Sequence, residues 1–386
     1  MKPFVPHLLP RECLDWAELV PLIARANRAI ARYDGIVQGL VNPSVLLSPL
    51  AAREAVLSSM IEGTQTTLEE LLEFEADPRE GSGPRYDDVR EVMNYRHAMA
   101  AAVEELKTRP LSLNLLLRIH FILMDSVRGR DKRRGEFRRE QNWIGPPNTP
   151  IEMATFVPPP YAALAELLDN LERYFHAEDK DRLVQAALIH GQFELIHPFL
   201  DGNGRAGRML IPLFLFAAEV ISVPAFYMSA YLEAHRDEYY ERLRRLSRED
   251  DFQGWVNFFL RAVISQAEED GEKARRILAL YDRMKEHVTE VTRSQFAIRV
   301  LDVMFDHPIF SSPQFVARSG VPKASGVRIL NALTRNGILR IVRPARGRRG
   351  TVYAFPELIE IANSAPAATS PRVEPPVHTL DVVNHS

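Results

Sequence analysis

Twelve consecutive residues, His197 to Arg208, read HPFLDGNGRAGR and place an imidazole, a carboxylate, two glycines around an asparagine, and two arginines side by side. Each of these suits an anionic, metal-bound phosphate ester. Gly202 and Gly204 let the backbone approach a ligand closely, because a residue without Cβ accepts conformations that strain others. With Asn203, their N–H groups at the start of a following helix form an anion cradle. Asp201 is a hard oxygen ligand of the kind Mg²⁺ takes when it bridges protein and phosphate. Arg205 and Arg208 lie three apart on one helical face and can fork onto phosphate oxygens. His197 precedes the loop and is suited to accept a proton from an attacking hydroxyl. The chemistry indicated is phosphoryl or nucleotidyl transfer. No Gly-Lys-Ser/Thr follows the glycines, so a Walker loop is not supported. Gly202, Gly204 and Gly207 do spell G-x-G-x-x-G, but the run before them, 181–195, reads as a helix and not a strand, so a dinucleotide fold is not supported either.

These residues resemble the signature of the Fic family (filamentation induced by cyclic AMP), H-x-F-x-D/E-G-N-G-R-x-x-R. Every fixed position is met, by His197, Phe199, Asp201, Gly202, Asn203, Gly204, Arg205 and Arg208. The resemblance implies a protein adenylyltransferase that moves AMP from ATP, with Mg²⁺, to a Ser, Thr or Tyr hydroxyl of a target protein or of itself. Far upstream, Ser58-Ser59-Met60-Ile61-Glu62-Gly63 resembles the family's inhibitory motif, S/T-x-x-x-E-G/N, at Ser58, Glu62 and Gly63. Its glutamate is then expected to pair with Arg208 and keep that arginine from the γ-phosphate. An Arg–carboxylate fork competes directly with an Arg–phosphate one. Gly63 also reads as an ordinary helix C-cap. The resemblance further implies that Tyr240 lines the adenine pocket. Many relatives carry an Asn seven residues later to bond the base; Ser247 stands there instead and leaves UTP or GTP open as donors.

The elements around these residues read as mainly helical. Apolar positions recur at three-to-four spacing over 16–34 and 45–63, followed by helices at 68–75, 87–107 and 112–125. A core pair, 181–195 and 203–219, flanks the motif loop, and another helix spans 227–246. Phe199 is read as a buried anchor of the loop and His190 as structural. Periodicity stops over 135–160, where Trp143-Ile144 and Thr155-Phe156-Val157 are short strand-like runs. The resemblance makes this a β-hairpin flap that adds a target segment as an extra strand; a long surface loop is the alternative. Helices at 296–305, 312–319 and 323–336, then strands at 338–342 and 351–355 around an Arg-rich turn, follow the order of a winged helix-turn-helix. Such a domain binds DNA, with Lys323 and Arg328 facing the groove, or serves to dimerise or dock proteins. The expected architecture is therefore a Fic-type helical bundle with a small flap and a C-terminal winged helix. Its parts are an N-terminal helical region (1–110) holding the inhibitory helix (45–63), a catalytic core (111–285), a winged helix (290–361) and a disordered tail (362–386).

Composition is that of a globular enzyme: 46% hydrophobic and 26% charged residues, with net charge −3, give no overall affinity for nucleic acid or anionic membranes. One cysteine, Cys13, excludes an intrachain disulfide or thiolate zinc cluster. The start lacks a long apolar stretch and the run 209–223 falls short of a membrane span, so the expected location is cytoplasmic. Three rival functions remain: a DNA-binding regulator whose core only senses nucleotide, an enzyme that removes AMP with Glu62 orienting water, and transfer from another nucleotide. Relatives are often dimers, but the sequence leaves the oligomeric state open, a homodimer among the options.

Overall fold

The computed structural model describes residues 2–78, 83–125, 132–145, 150–347 and 349–364. Helices dominate, and their starts follow from local side chains. α1 (Trp16–Gln38) begins where the Asp15 carboxylate accepts from the Glu18 amide. The short α2 (Pro43–Leu46) leads into α3 (Ser48–Ile61), which ends at Glu62. Gly63, at φ 100°, reverses the chain there with its N–H on the Met60 carbonyl. α4 (Leu68–Ala76) opens on a capping box in which Thr67 and Glu70 bond each other's backbone amides. α5 (Pro84–Leu106) and α6 (Leu113–Leu123) pack side by side, and α7 (Tyr161–Phe175) lies against α8 (Arg182–Ile196).

The motif loop joins α8 to α9 (Asn203–Ala217). α10 (Ser229–Ala234) and α11 (Arg236–Glu249) follow, then α12 (Phe252–Thr292), 41 residues and so roughly 60 Å long at 1.5 Å per residue. The first half of α12 belongs to the core: the Trp255 indole donates to the Ala187 carbonyl of α8, and Gln266 accepts from the Tyr231 amide of α10. Its second half carries the C-terminal module, with Tyr281 bonded to Asp302 of α13 (Ala297–Asp306) and Arg283 paired with Glu357 of α16 (Pro356–Asn363). Between α13 and α16 lie β1 (Ile309–Ser311), α14 (Ser312–Ser319), α15 (Lys323–Arg335), β2 (Arg340–Arg343) and β3 (Val352–Ala354). The three strands form an antiparallel sheet in the order β1-β3-β2, with Ile309 opposite Ala354 and Ile341 opposite Tyr353.

Several sequence expectations need correction. The boundary set at 285–290 falls inside α12, so one continuous helix serves both the core and the C-terminal module. The helix expected over 227–246 is two, broken at His235 (φ −118°, ψ 37°), where Arg236 bonds the Met60 and Ile61 carbonyls at the end of α3. The helix expected over 45–63 is interrupted at Leu47 and stops at Ile61. Among the described residues, the flap reduces to one antiparallel bridge, Ile144–Phe156, followed after Pro150 by a single 3₁₀ turn, Ile151–Met153, that precedes the second strand-like run. Residues 146–149 of that segment lie outside the described residues. Ala362 and Asn363, assigned to the tail, close α16; residues 365–386 lie outside the described residues. No helix among the described residues is long and apolar enough to cross a membrane.

Candidate active site

The loop between α8 and α9 is set by two left-handed residues. His197 ends α8 at φ 48°, ψ 61°, and Gly202 starts α9 at φ 76°. Inside the loop the Asn203 side chain forms a clasp: its oxygen accepts from the Phe199 amide and its nitrogen donates to the Phe199 carbonyl, both at 2.8 Å. The Asn203 side-chain amide is spent inside the loop, so only its backbone N–H remains for a ligand. Phe199 is fully buried, as an anchor must be.

Three residues that sequence reasoning missed hold this loop from outside. Arg138 is buried, and its guanidinium donates to the carbonyls of His197 (3.0 Å), Ile196 (3.3 Å), Glu140 (3.3 Å) and Pro159 (2.6 Å). Burial lowers it to about 10, so it stays charged at neutral pH. Asn142 donates to the Phe199 carbonyl at 2.8 Å. His120 stacks on Phe199 with ring centroids 3.8 Å apart. Its Nδ1 accepts from the Gly135 amide (2.9 Å), which leaves the proton on Nε2 to donate to the Asp201 carbonyl (3.0 Å). Burial holds His120 down at about 4, so this neutral tautomer persists. Arg138→Met keeps the bulk but strips a donor from four carbonyls, of which those of Pro159 and Ile196 are buried. It is expected to destabilise the fold by at least ~3 kcal/mol, seen as a lower urea midpoint at unchanged slope. An unshifted midpoint would mean the carbonyls find other donors.

His197, Glu62, Gly204, Arg208, Glu194, Tyr239, Tyr240 and Ser247 line one cavity of about 370 Å³, a volume within the usual range for small-molecule sites. Because the Glu194 carbonyl can only accept, His197 Nδ1 must donate to it (3.3 Å), and this leaves Nε2 with a lone pair. Burial, partly opposed by that bond and by Glu62, lowers His197 to about 4. Arg208, only 2% exposed, is held by the Ser58 hydroxyl (2.9 Å), the Ser58 carbonyl (2.8 Å) and the Glu62 carboxylate (2.6 Å). Glu62 opens onto the cavity and is 36% exposed. Burial works against its charge, yet Arg208, with Arg205 and His197, holds its carboxyl below the usual range.

The Glu62 carboxylate occupies the space a Cβ on Gly204 would need, directly over the first turn of α9. The first N–H groups of a helix have no intrahelical partner and favour an anion. A carboxylate therefore sits where a phosphate would be received. Two other motif residues point elsewhere. Arg205, buried, pairs with Glu91 of α5 at 3.3 Å and does not line the cavity. Gly202 lies against Met124 and His120. Asp201 is exposed beside the cavity, its Oδ1 accepting from the Gly202 amide. Tyr240 lines the cavity with its hydroxyl on the Ile61 carbonyl (3.2 Å), whereas the Ser247 hydroxyl donates to Arg244 one turn back.

Glu194, one turn before His197, is a further residue that was missed. Burial raises its carboxyl to about 7, and its Oε1 has no hydrogen-bond partner among the described residues. The spacing of three from His197 is the signal that points to it, since residues i and i+3 share a helix face. His190 is structural: Nδ1 donates to the Gly207 carbonyl and Nε2 accepts from the Tyr239 hydroxyl, which places Tyr239.

Comparison with known proteins agrees with this geometry. Residues 20–104 match the Fic/DOC family N-terminal region and residues 110–215 match the Fic/DOC family itself. Over 210 residues, 51% of this chain, the sequence is 29% identical to the protein adenylyltransferase Fic of Drosophila grimshawi and to that of Drosophila erecta. The match spans only 38% and 37% of those relatives' lengths. Among solved structures, a Fic family protein from Desulfovibrio desulfuricans G20 superposes with TM-score 0.55 at 20% identity, covering 92% of this chain and 98% of that one. A Fic domain containing signaling protein from Bacteroides thetaiotaomicron VPI-5482 gives TM-score 0.53 at 17% identity over 65% of this chain and 97% of its own. These likenesses show the fold. With both family regions matched in succession and the complete signature on the loop between α8 and α9, the chain carries a Fic/DOC N-terminal region followed by a Fic/DOC domain.

Proposed function

We propose that this chain is a protein adenylyltransferase, transferring AMP from ATP to a Ser, Thr or Tyr hydroxyl of a protein, and that Glu62 restrains it. The observation that carries the reading is the Glu62 carboxylate over Gly204, paired with Arg208, in the cavity that also holds His197. In the released state the N–H groups of Asn203 and Gly204 and the Arg208 guanidinium receive the phosphates. His197 Nε2 takes the proton of the attacking hydroxyl. The new bond joins that oxygen to the α-phosphorus, and the bond to the bridging oxygen breaks so that pyrophosphate leaves. Tyr240, which lines the cavity, takes the base by stacking in this reading. Arg205 supports the site by fixing α9 to α5 through Glu91.

Asp201 is the residue here that suits Mg²⁺. One exposed carboxylate beside the cradle fits an ion that takes most of its ligands from substrate phosphates, and no cluster of three or more candidate ligands occurs among the described residues. Bound there, the ion would neutralise phosphate charge. The cytoplasmic location, self-modification and the assignment of 290–361 as a winged helix belong to the same proposal.

The test supplies ATP labelled at the α- or the γ-phosphate and follows label on protein. Label from the α-position alone supports AMP transfer; label from the γ-position would refute it. The pH profile is a second check. Since burial holds His197 near 4, the neutral base is present throughout the neutral range. kcat/KM of the Glu62→Gly variant is expected to stay level from pH 8 to about 5.5, with no inflection at the ordinary histidine value of about 6.5. Removing Glu62 removes an influence that raises His197, which extends the level range further. An inflection near 6.5 would assign proton acceptance to another group. A second reading rests on the exposure of Glu62 to the cavity, where it can orient a water for AMP removal. AMP released from a modified protein by the wild type, but not by Glu62→Gly, would favour it.

A further inference from the structure

Charge is distributed unevenly along this chain. Residues 307–356 contain nine Lys or Arg and no Asp or Glu, although the whole chain carries net −3. The fold leaves most of these cations exposed, on α15 and on the β2–β3 turn. α15 buries Ile329, Leu330 and Leu333 and exposes Lys323, Ala324, Val327, Arg328, Asn331 and Arg335 along the opposite side. The β2–β3 turn adds Arg346 and Arg349, which are both exposed. Among the described residues, Lys323, Arg328, Arg335, Arg340 and Arg346 form no ion pair. A solvated surface usually mixes signs; a single-sign surface indicates a polyanion.

The second observation is where the remaining wing arginines go. Arg343 pairs with Asp77, and Arg349 approaches the same carboxylate at 3.8 Å. Asp77 is the C-cap of α4, which follows Glu62 after a five-residue connection. Gln314 of α14 also donates to the Glu75 carbonyl (2.6 Å), and the Ser48 hydroxyl at the start of α3 donates to the Asp306 carbonyl (2.8 Å). The C-terminal module thus grips both ends of the α3–α4 pair that presents Glu62 to Arg208.

We propose that this surface binds duplex DNA, with α15 in the major groove and the wing on phosphates, and that binding draws Arg343 and Arg349 from Asp77 and loosens the hold of Glu62. The exposed face of α15 has the readout chemistry for this: Arg328 for guanine, Asn331 for adenine, and Ala324 and Val327 for thymine methyls. B-form DNA is the occupant because its major groove admits a helix, whereas that of A-form RNA is too narrow. Phosphates spaced along the duplex then compete with one carboxylate for the same guanidinium groups. The activity readout rests on the adenylyltransferase reading; the binding readout does not.

The experiment uses the full chain and a fluorescein-labelled 30-base-pair duplex of mixed sequence, titrated by anisotropy at several NaCl concentrations. Binding is expected to weaken steeply with salt, and R328A/N331A is expected to lower affinity at least tenfold without changing basal AMP transfer. Amide hydrogen exchange over residues 62–68 is expected to speed up several-fold with duplex. D77N should show the faster exchange without DNA. In the transfer assay, duplex should raise wild-type label several-fold and leave Glu62→Gly unchanged. No duplex binding, or equal affinity for duplex RNA, overturns the proposal. Binding with unchanged exchange over 62–68 overturns the coupling. Absence of label from Glu62→Gly under all conditions would instead count against the adenylyltransferase reading, and the exchange measurement would still decide the coupling.

Discussion

Replacing Glu62 with glycine is expected to raise AMP transfer by roughly tenfold or more, a change in barrier of about 1.4 kcal/mol. Two effects add. The carboxylate leaves the space over Gly204, so the first turn of α9 is open to phosphate oxygens. Arg208 loses one of its acceptors but keeps the Ser58 hydroxyl and carbonyl, so its guanidinium stays aimed at the cavity. The variant is therefore released and already organised. Glu62→Gln separates charge from shape: it can still accept from Arg208 but lacks the charge that outcompetes phosphate, and it should fall between the two. The measure is α-phosphate label per protein at fixed ATP and Mg²⁺. Equal label in wild type and Glu62→Gly would remove the inhibitory reading. Acid is not the natural release signal, because Arg208 holds the Glu62 carboxyl below the usual range and it stays charged to low pH.

The catalytic loop was legible in the sequence because its chemistry is contiguous. His197 and the glycines lie within eight residues, and the spacing of Arg205 and Arg208 put both on α9. Their division of labour was not legible. Arg205 turns to Glu91, 114 residues away, and Arg208 to Ser58, 150 residues away, and only the packing of α3 and α5 on α9 decides which faces the cavity. Arg138 and His120 were invisible for a similar reason. Their partners are backbone carbonyls and amides, which leave no trace in residue type. α12 hides its boundary because its apolar stripe continues from Phe252 through Val288, with no Pro or cap to mark where core packing ends and the C-terminal module begins. α7 is absent from the sequence reading, although its stripe of Leu164, Leu167, Leu168 and Leu171 just beyond the irregular segment carries the helical period.

His197→Ala is expected to lower transfer by about 10²–10⁴-fold, the usual worth of a positioned general base. The structure invests heavily in this one ring. The left-handed backbone at φ 48° turns the side chain out of α8, and Arg138 fixes that carbonyl against reverting. The Glu194 carbonyl then binds Nδ1–H and directs the Nε2 lone pair outward. The loss is best read in a Glu62→Gly background, where the starting rate is high. There the double variant should carry almost no α-label while ATP binding, followed by calorimetry, stays within a few-fold. Binding should survive because the phosphates are received by α9 and Arg208, not by the imidazole. Retained turnover would assign the proton to another acceptor in the cavity, and Glu194, with a carboxyl raised to about 7, is the group then to replace.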